Sequence, residues 1–170
     1  MKTLLFLLLT ITMVYAKGGI DIAKVIKPSF SSGVTVTKKQ FTLSSKEMKR
    51  VKNSAKSQLD SNIIRMYTVR KGKQIEGYAV LIVQTVRTKK SAVLYIMDTA
   101  STIKSIEILA FREPSEYKPN KAWQGIFKGK TKDDNLFSGK GIPTISGATL
   151  SARAIADASR IALSIVEMYK

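Results

Sequence analysis

Six consecutive residues, Tyr78-Ala79-Val80-Leu81-Ile82-Val83, are apolar throughout. A short unbroken apolar run fits a strand, and it has no face to show to water. The segment therefore reads as a central strand covered on both sides, and the rest of the chain must supply the covers. Its neighbours agree. Ile64 to Arg70 and Gly77 to Val86 are joined by Lys71-Gly72-Lys73, a hairpin-like break. Ala92 to Asp98 is a further strand, Asp98-Thr99-Ala100-Ser101 is rich in turn formers, and Ile103 to Leu109 alternates. Phe111-Arg112-Glu113-Pro114 then leaves the sheet, with Tyr117 and Pro119 in the loop.

Helices flank this block. From Leu150 to Tyr169, apolar or small residues recur at Ala154, Ile155, Ala158, Ile161, Ala162, Ile165, Met168 and Tyr169, which is one helical face. Ser44-Ser45-Lys46-Glu47 is a capping box for a basic helix running to about Leu59, with Met48, Val51, Ala55 and Leu59 on its inner face. Ile20 to Ile26 gives one or two helical turns before Pro28, Val34 to Thr37 a short strand, and Asn120 to Lys128 a short helix or turn around Trp123, Ile126 and Phe127. The predicted fold is α+β, a mainly antiparallel sheet with a basic N-terminal helix and a long C-terminal helix. Residues 17–62 form the basic helical segment and 63–170 the main domain.

Met1 to Ala16 reads as a secretory signal peptide: Lys2 is the positive residue, an apolar run opens at Leu4, and Val14 and Ala16 sit at the small-residue positions before cleavage. The run is roughly 13 residues, against the ~20 that span a bilayer. An uncleaved anchor, with membrane association, stays as the alternative. No cysteine follows the run, which excludes a lipid-modified N-terminus. Cleavage implies a periplasmic or secreted protein of roughly 150 residues, enough for one core.

The chain has no Cys and no His. That removes a thiolate nucleophile, an imidazole base, a Cys/His metal site and His-ligated haem. Redox chemistry, if present, must be carried by an organic cofactor. The formal charge is +17, from 29 basic and 12 acidic residues. It concentrates in Lys38 to Lys56 and in Arg65 to Lys90, each opposed by one acid, Glu47 and Glu76. Such a field attracts nucleic acid, anionic lipid or acidic proteins. Export and the lack of interleaved aromatics argue against nucleic acid.

Ser146-Gly147-Ala148-Thr149 stands at the mouth of the last helix, after the loop residues Gly139-Lys140-Gly141-Ile142-Pro143. Two readings fit it. Ser and Thr are ordinary N-caps. Alternatively, unpaired N–H groups and the helix dipole favour an anion there, Gly147 and Ala148 leave room for a ligand, and Thr149 offers a hydroxyl. Lys140 then adds a positive contact or is simply solvated. Trp123, Phe111, Tyr117 and Leu150 are candidates for an aromatic or apolar wall, or else core.

Ile145-Ser146-Gly147-Ala148-Thr149-Leu150-Ser151 resembles the signature of the FMN-binding domain family, which includes the flavin subunits of sodium-pumping NADH:quinone reductase and exported electron-transfer flavoproteins. The likeness extends upstream through Val93 to Asp98, Ile103 to Leu109 and Phe111 to Pro114, over roughly Gly77 to Lys170. It implies FMN as cofactor, linked by a phosphoester to Thr149, with Ser146, Gly147, Ala148, Leu150, Ser151, Lys140 and Trp123 around it. It also implies attachment outside the cytoplasm by a flavin transferase that uses FAD and magnesium, and redox partners in the membrane or envelope. One residue departs from the pattern: the family often has Asp where this chain has Pro143. A flavin-free basic module, using Lys38 to Lys56 to hold an acidic partner or anionic surface, is the alternative function.

The leader makes the first testable expectation. Exported protein should begin near Lys17 by N-terminal sequencing and intact mass; retention of Met1 to Ala16 in membranes identifies an anchor instead.

Overall fold

A computed structural model describes residues 20–170. The signal-peptide segment Met1 to Ala16 lies outside them. Five strands form one antiparallel meander in chain order: β1 (Thr35–Thr42), β2 (Ile63–Lys71), β3 (Gln74–Thr85), β4 (Lys90–Asp98) and β5 (Ile103–Phe111). The helices are α1 (Ile22–Ile26), α2 (Ser45–Ala55), α3 (Lys121–Gly125) and α4 (Thr149–Tyr169). This is the α+β fold expected. Among the described residues, no helix is long and apolar enough to cross a membrane.

The unbroken apolar run lies in β3, the middle strand, and both of its faces are covered. Tyr78, Val80 and Ile82 pack toward α2, α3 and α4 with Met66, Tyr95 and Met97. Ala79 and Leu81 point the other way, into a second cluster with Tyr67, Val69, Leu94 and Ile96 that Ile22, Val25, Ile26 and Phe30 cap. The period of two splits a continuous apolar sequence into two cores. Gly77 marks where the second cover comes closest: a Cβ there would run into the Met97 carbonyl and the Phe30 ring.

β1 runs through Lys38 and Lys39, where the basic composition predicts only a short strand ending at Thr37. As an edge strand it pairs with β2 on one side only, so lysines that point to water cost it nothing. It belongs to the same sheet as β5, and α2 packs on α4. α2 also ends earlier than predicted. Lys56 takes a left-handed conformation (φ 48°) and stops the helix at Ala55, while Leu59 reaches the core from the following loop.

The capping box is present in full. Glu47 accepts from the Ser44 amide (2.8 Å) and hydroxyl (2.6 Å), and the Tyr169 hydroxyl donates to its other oxygen (2.6 Å). One carboxylate thus starts α2 and fastens the end of α4. The Ser44 hydroxyl, then the Tyr169 hydroxyl, pull Glu47 down from an ordinary 4.5 to about 2. Burial, then the Glu47 carboxylate, pushes Tyr169 up to about 12.

A carboxyl depressed by folding stabilises the native state above its unfolded pKa, and the contribution fades as pH falls through the folded value. Thermal melts of the wild type should therefore lose stability between about pH 4.5 and about 2. Glu47→Gln should be less stable at pH 7 and should lose less over that interval. Parallel pH profiles would show that the contact does not matter.

Candidate functional site

The first turn of α4 is open. Its N-cap is Ala148, which has no side chain to cap with, and neither Ser146 nor Thr149 takes that role. The ordinary-cap reading of the motif is therefore not what the structure contains. The Thr149 hydroxyl makes only a long bond to the Ile145 carbonyl (3.4 Å). The first backbone bond into the helix runs from Ala152 to Ala148 (3.1 Å), so the amides of Thr149, Leu150 and Ser151 point outward without an acceptor among the described residues. Gly147 turns the chain at φ +75°, with no atom within 4 Å of where a Cβ would stand. Such a backbone suits glycine and leaves the approach clear.

These residues line a cleft of about 230 Å³: Gly147, Ala148, Thr149, Leu150 and Ser151 on one side, Arg87 and Tyr117 on the other. Ser151, only 2% exposed as a residue, lines the cleft from the first turn of α4. Three free amides, the positive end of a helix dipole, the Arg87 guanidinium and two hydroxyls make the cleft a receptor for an anion.

Arg87 arrives from the turn between β3 and β4, and Glu113 holds that turn. The buried carboxylate accepts from the amides of Arg87 (3.1 Å), Thr88 (2.7 Å) and Lys89 (2.7 Å). The Lys89 and Thr88 amides keep its carboxyl below the usual range, and the Arg87 amide adds to this. The guanidinium lies 5.6 Å from the centre of the Tyr117 ring. Arg87 is the cleft residue that sequence reading missed, because nothing local ties residue 87 to residue 149. The acid that positions it was visible, in Phe111-Arg112-Glu113-Pro114.

The loop before the motif is held from beneath. Gly141 passes so close to the Asn135 backbone that no Cβ would fit. Leu136 and Ile142 are buried. The Trp123 indole donates to the Pro143 carbonyl (2.9 Å) and its ring meets Phe127 edge-on at 5.2 Å. Arg160 donates to the carbonyls of Leu136 and Ala55 (2.7 Å each), pairs with Asp157 (2.7 Å) and lies 3.8 Å from the Phe137 ring centre.

Of the residues named from sequence, Gly147 to Ser151 and Tyr117 come together at the cleft. Ser146 is exposed on its approach. Trp123, 7% exposed, supports the loop as a core residue and does not line the cleft. Lys140 is exposed at the tip of the turn closed by Gly139 and Ile142, away from the cleft wall. Phe111 ends β5 opposite Ser91, also outside it.

Arg160→Met should leave the Ala55 and Leu136 carbonyls and Asp157 without their donor, at a cost of about 3 kcal/mol. Denaturant melts measure this, and hydrogen exchange should quicken at the amides of residues 137–148. Unchanged exchange there would separate Arg160 from the loop.

Residues 87–164 match the family model of the FMN-binding domain. No curated protein and no solved structure matches the chain. The matched segment opens at Arg87 and contains every residue that lines the cleft. Residues 87–164 are thus similar to the FMN-binding domain, and the match indicates FMN as the cofactor.

Proposed function

We propose that this chain is an exported electron-transfer flavoprotein whose FMN is joined by a phosphoester to Thr149. The observation that carries the reading is the open first turn of α4: a threonine hydroxyl beside three free amides, with alanine as the cap. A phosphate on Thr149 would accept from the amides of this turn, with the dipole in its favour. The Ser151 hydroxyl, which faces the same cleft, would donate to it. Arg87 would balance its charge, and Tyr117 and Leu150 offer the nearest aromatic and apolar surface to a ring.

The size of the cleft argues for a covalent link. At about 230 Å³ it falls below the ~300 Å³ at which pockets begin to enclose a whole ligand. A cofactor so little enclosed would be held weakly by contacts alone, and for an exported carrier a lost FMN is lost for good. FMN supplies one- and two-electron redox chemistry, for which a chain without Cys or His has no side chain of its own. The protein's part is to hold the group, balance its phosphate and present it to partners. Attachment falls to a flavin transferase outside the cytoplasm that uses FAD and magnesium, and electrons pass to and from partners of the membrane or envelope. The basic surface then serves a flavoprotein rather than a flavin-free module.

Pro143, where the family often has Asp, is compatible with this arrangement. The Trp123 indole takes up its carbonyl, and its ring is exposed. The loop is thereby fixed in shape without a carboxylate.

Wild type co-expressed with the transferase and exported should gain the mass of one FMN less one water, carried on the peptide that contains Thr149. Thr149→Val should remain folded, since the residue caps nothing and its loss costs under about 1 kcal/mol. It should carry no covalent flavin. Flavin on Ser146, or an unchanged load in the variant, would refute Thr149 as the attachment point, and a colourless wild type would count against the whole reading.

A further inference from the structure

The end of the molecule that holds the Thr149 cleft carries two more depressions. One, of about 160 Å³, lies between Asp60, Thr85, Leu150 and Arg153. The other, of about 220 Å³, lies between Asp60, Ile63, Arg65, Val83 and Lys90. Leu150 belongs to the cleft and to the first depression, and Asp60 to both depressions. Neighbouring depressions thus share a lining residue around the end of the sheet, Leu150 on the α4 side and Ile63 and Val83 on the face turned away from α4.

Apolar surface gathers there. Ile63 (50% exposed), Val83 (36%) and Leu150 (44%) are three of the four exposed large hydrophobic side chains among the described residues. The register Arg65↔Leu81, carried two residues further, sets Ile63 across from Val83. Cations surround them: Arg65, Arg87, Lys89, Lys90 and Arg153 are exposed, and none is in an ion pair among the described residues. The carboxylates on this surface are occupied. Asp60 accepts from the Thr85 amide (2.7 Å) and hydroxyl (2.8 Å), Asp157 pairs with Arg160, and Glu113 holds the turn. What remains outward is positive charge around apolar points set in concavities.

Exposed apolar side chains rimmed by one sign of charge mark an interaction surface. The concavities decide its kind. A bilayer presents a smooth plane that leaves them empty, whereas protruding side chains of a protein fill them. We propose that this end is the docking face for an acidic protein, one that presents apolar side chains within a ring of carboxylates. Seated there, the partner lies against Leu150 and so against the Thr149 cleft. That consequence rests on the flavin reading of the cleft; the docking surface itself does not.

The test uses one protein in two charges: cytochrome c, and cytochrome c succinylated so that its lysines carry carboxylates. Titrated into the isotope-labelled chain at low salt, the succinylated form should shift amides of residues 60–65, 83–90 and 150–157, with binding lost as salt rises. The native form should shift none. Two variants of equal net charge separate docking from bulk attraction. Arg65→Glu/Lys89→Glu/Lys90→Glu should weaken binding about tenfold or more. Lys46→Glu/Lys49→Glu/Lys52→Glu, on the outer face of α2, should change it by about twofold or less. Equal weakening by both, shifts that map to α2 or scatter, or equal binding of the two cytochromes would overturn the proposal. So would the same amides responding to phosphatidylglycerol vesicles but not to succinylated cytochrome c, which assigns the face to lipid. Intact mass reports the flavin on Thr149 separately, so a failure of the attachment reading leaves the amide map able to decide the docking one.

Discussion

Two buried polar side chains set the position of α4 along the sheet, and the site depends on that setting. The hydroxyl of Tyr95, on β4 and fully buried, donates to the Ile155 carbonyl (2.8 Å). The amide of Gln84, on β3, donates to the neighbouring carbonyl of Ala154. Apolar packing alone tolerates sliding, because an alanine-rich face looks much the same one turn along. A hydrogen bond to a given carbonyl does not, since a slip strands a buried donor at a cost of about 1–3 kcal/mol. α4 can lie this close because Ala152, Ala156, Ala158, Ser159 and Ala162 form much of its buried face. The first turn, two turns upstream of Ile155, is thereby fixed in space before any loop is considered.

The chain spends its few carboxylates on backbone. Asp21 caps α1, Glu47 caps α2, Asp98 accepts from Thr102, Glu113 gathers three amides, and Asp134 accepts from Thr131. Only Glu107, Asp134, Asp157 and Glu167 lie in ion pairs among the described residues. A carboxylate that accepts from several fixed amides is held by geometry, whereas a surface ion pair contributes little. One consequence is structural: turns far apart in sequence, such as residues 87–89 and 113, become a single unit. The other is electrostatic. With these carboxylates committed to backbone amides, few are left to pair with the excess of Lys and Arg.

Much of this could be read from residues alone, and the failures have identifiable causes. The central strand was legible because Tyr78 to Val83 leaves only one placement in a sheet, and Ser44 and Glu47 announce their helix by spacing. The boundary at Ala55 was not, since Lys56 has no side-chain reason to adopt positive φ; tertiary packing of Leu59 draws the chain aside. β1 was cut short because its lysines carry no strand signal, and an edge strand needs none on its open side. At the site, the contiguous half, Gly147 to Ser151, lay in one motif. Of the opposing half, Tyr117 was already a candidate for the wall, whereas Arg87 is brought beside it by the Glu113 contacts across the sheet end, which a linear pattern cannot display. Trp123 and Lys140 were drawn to the site by type and proximity in sequence. The fold uses Trp123 as a strut and leaves Lys140 at a turn tip.

The strut explains how the loop can do without an acid at position 143. A carboxylate before the motif would orient the loop by collecting amides, as Glu113 does for the β3–β4 turn. Proline reaches a similar end by other means: its ring limits φ, and its carbonyl stays free to accept from the Trp123 indole. Trp123 is itself fixed by the Asn120 cap, whose side chain accepts from its amide (2.9 Å), and by Phe127. Orientation thus passes from α3 to Pro143 and on to Gly147, where the positive φ turns the chain into α4. The shape of the cleft is maintained without a charge at residue 143, and Arg87 lines it together with the first turn of α4 and Thr149.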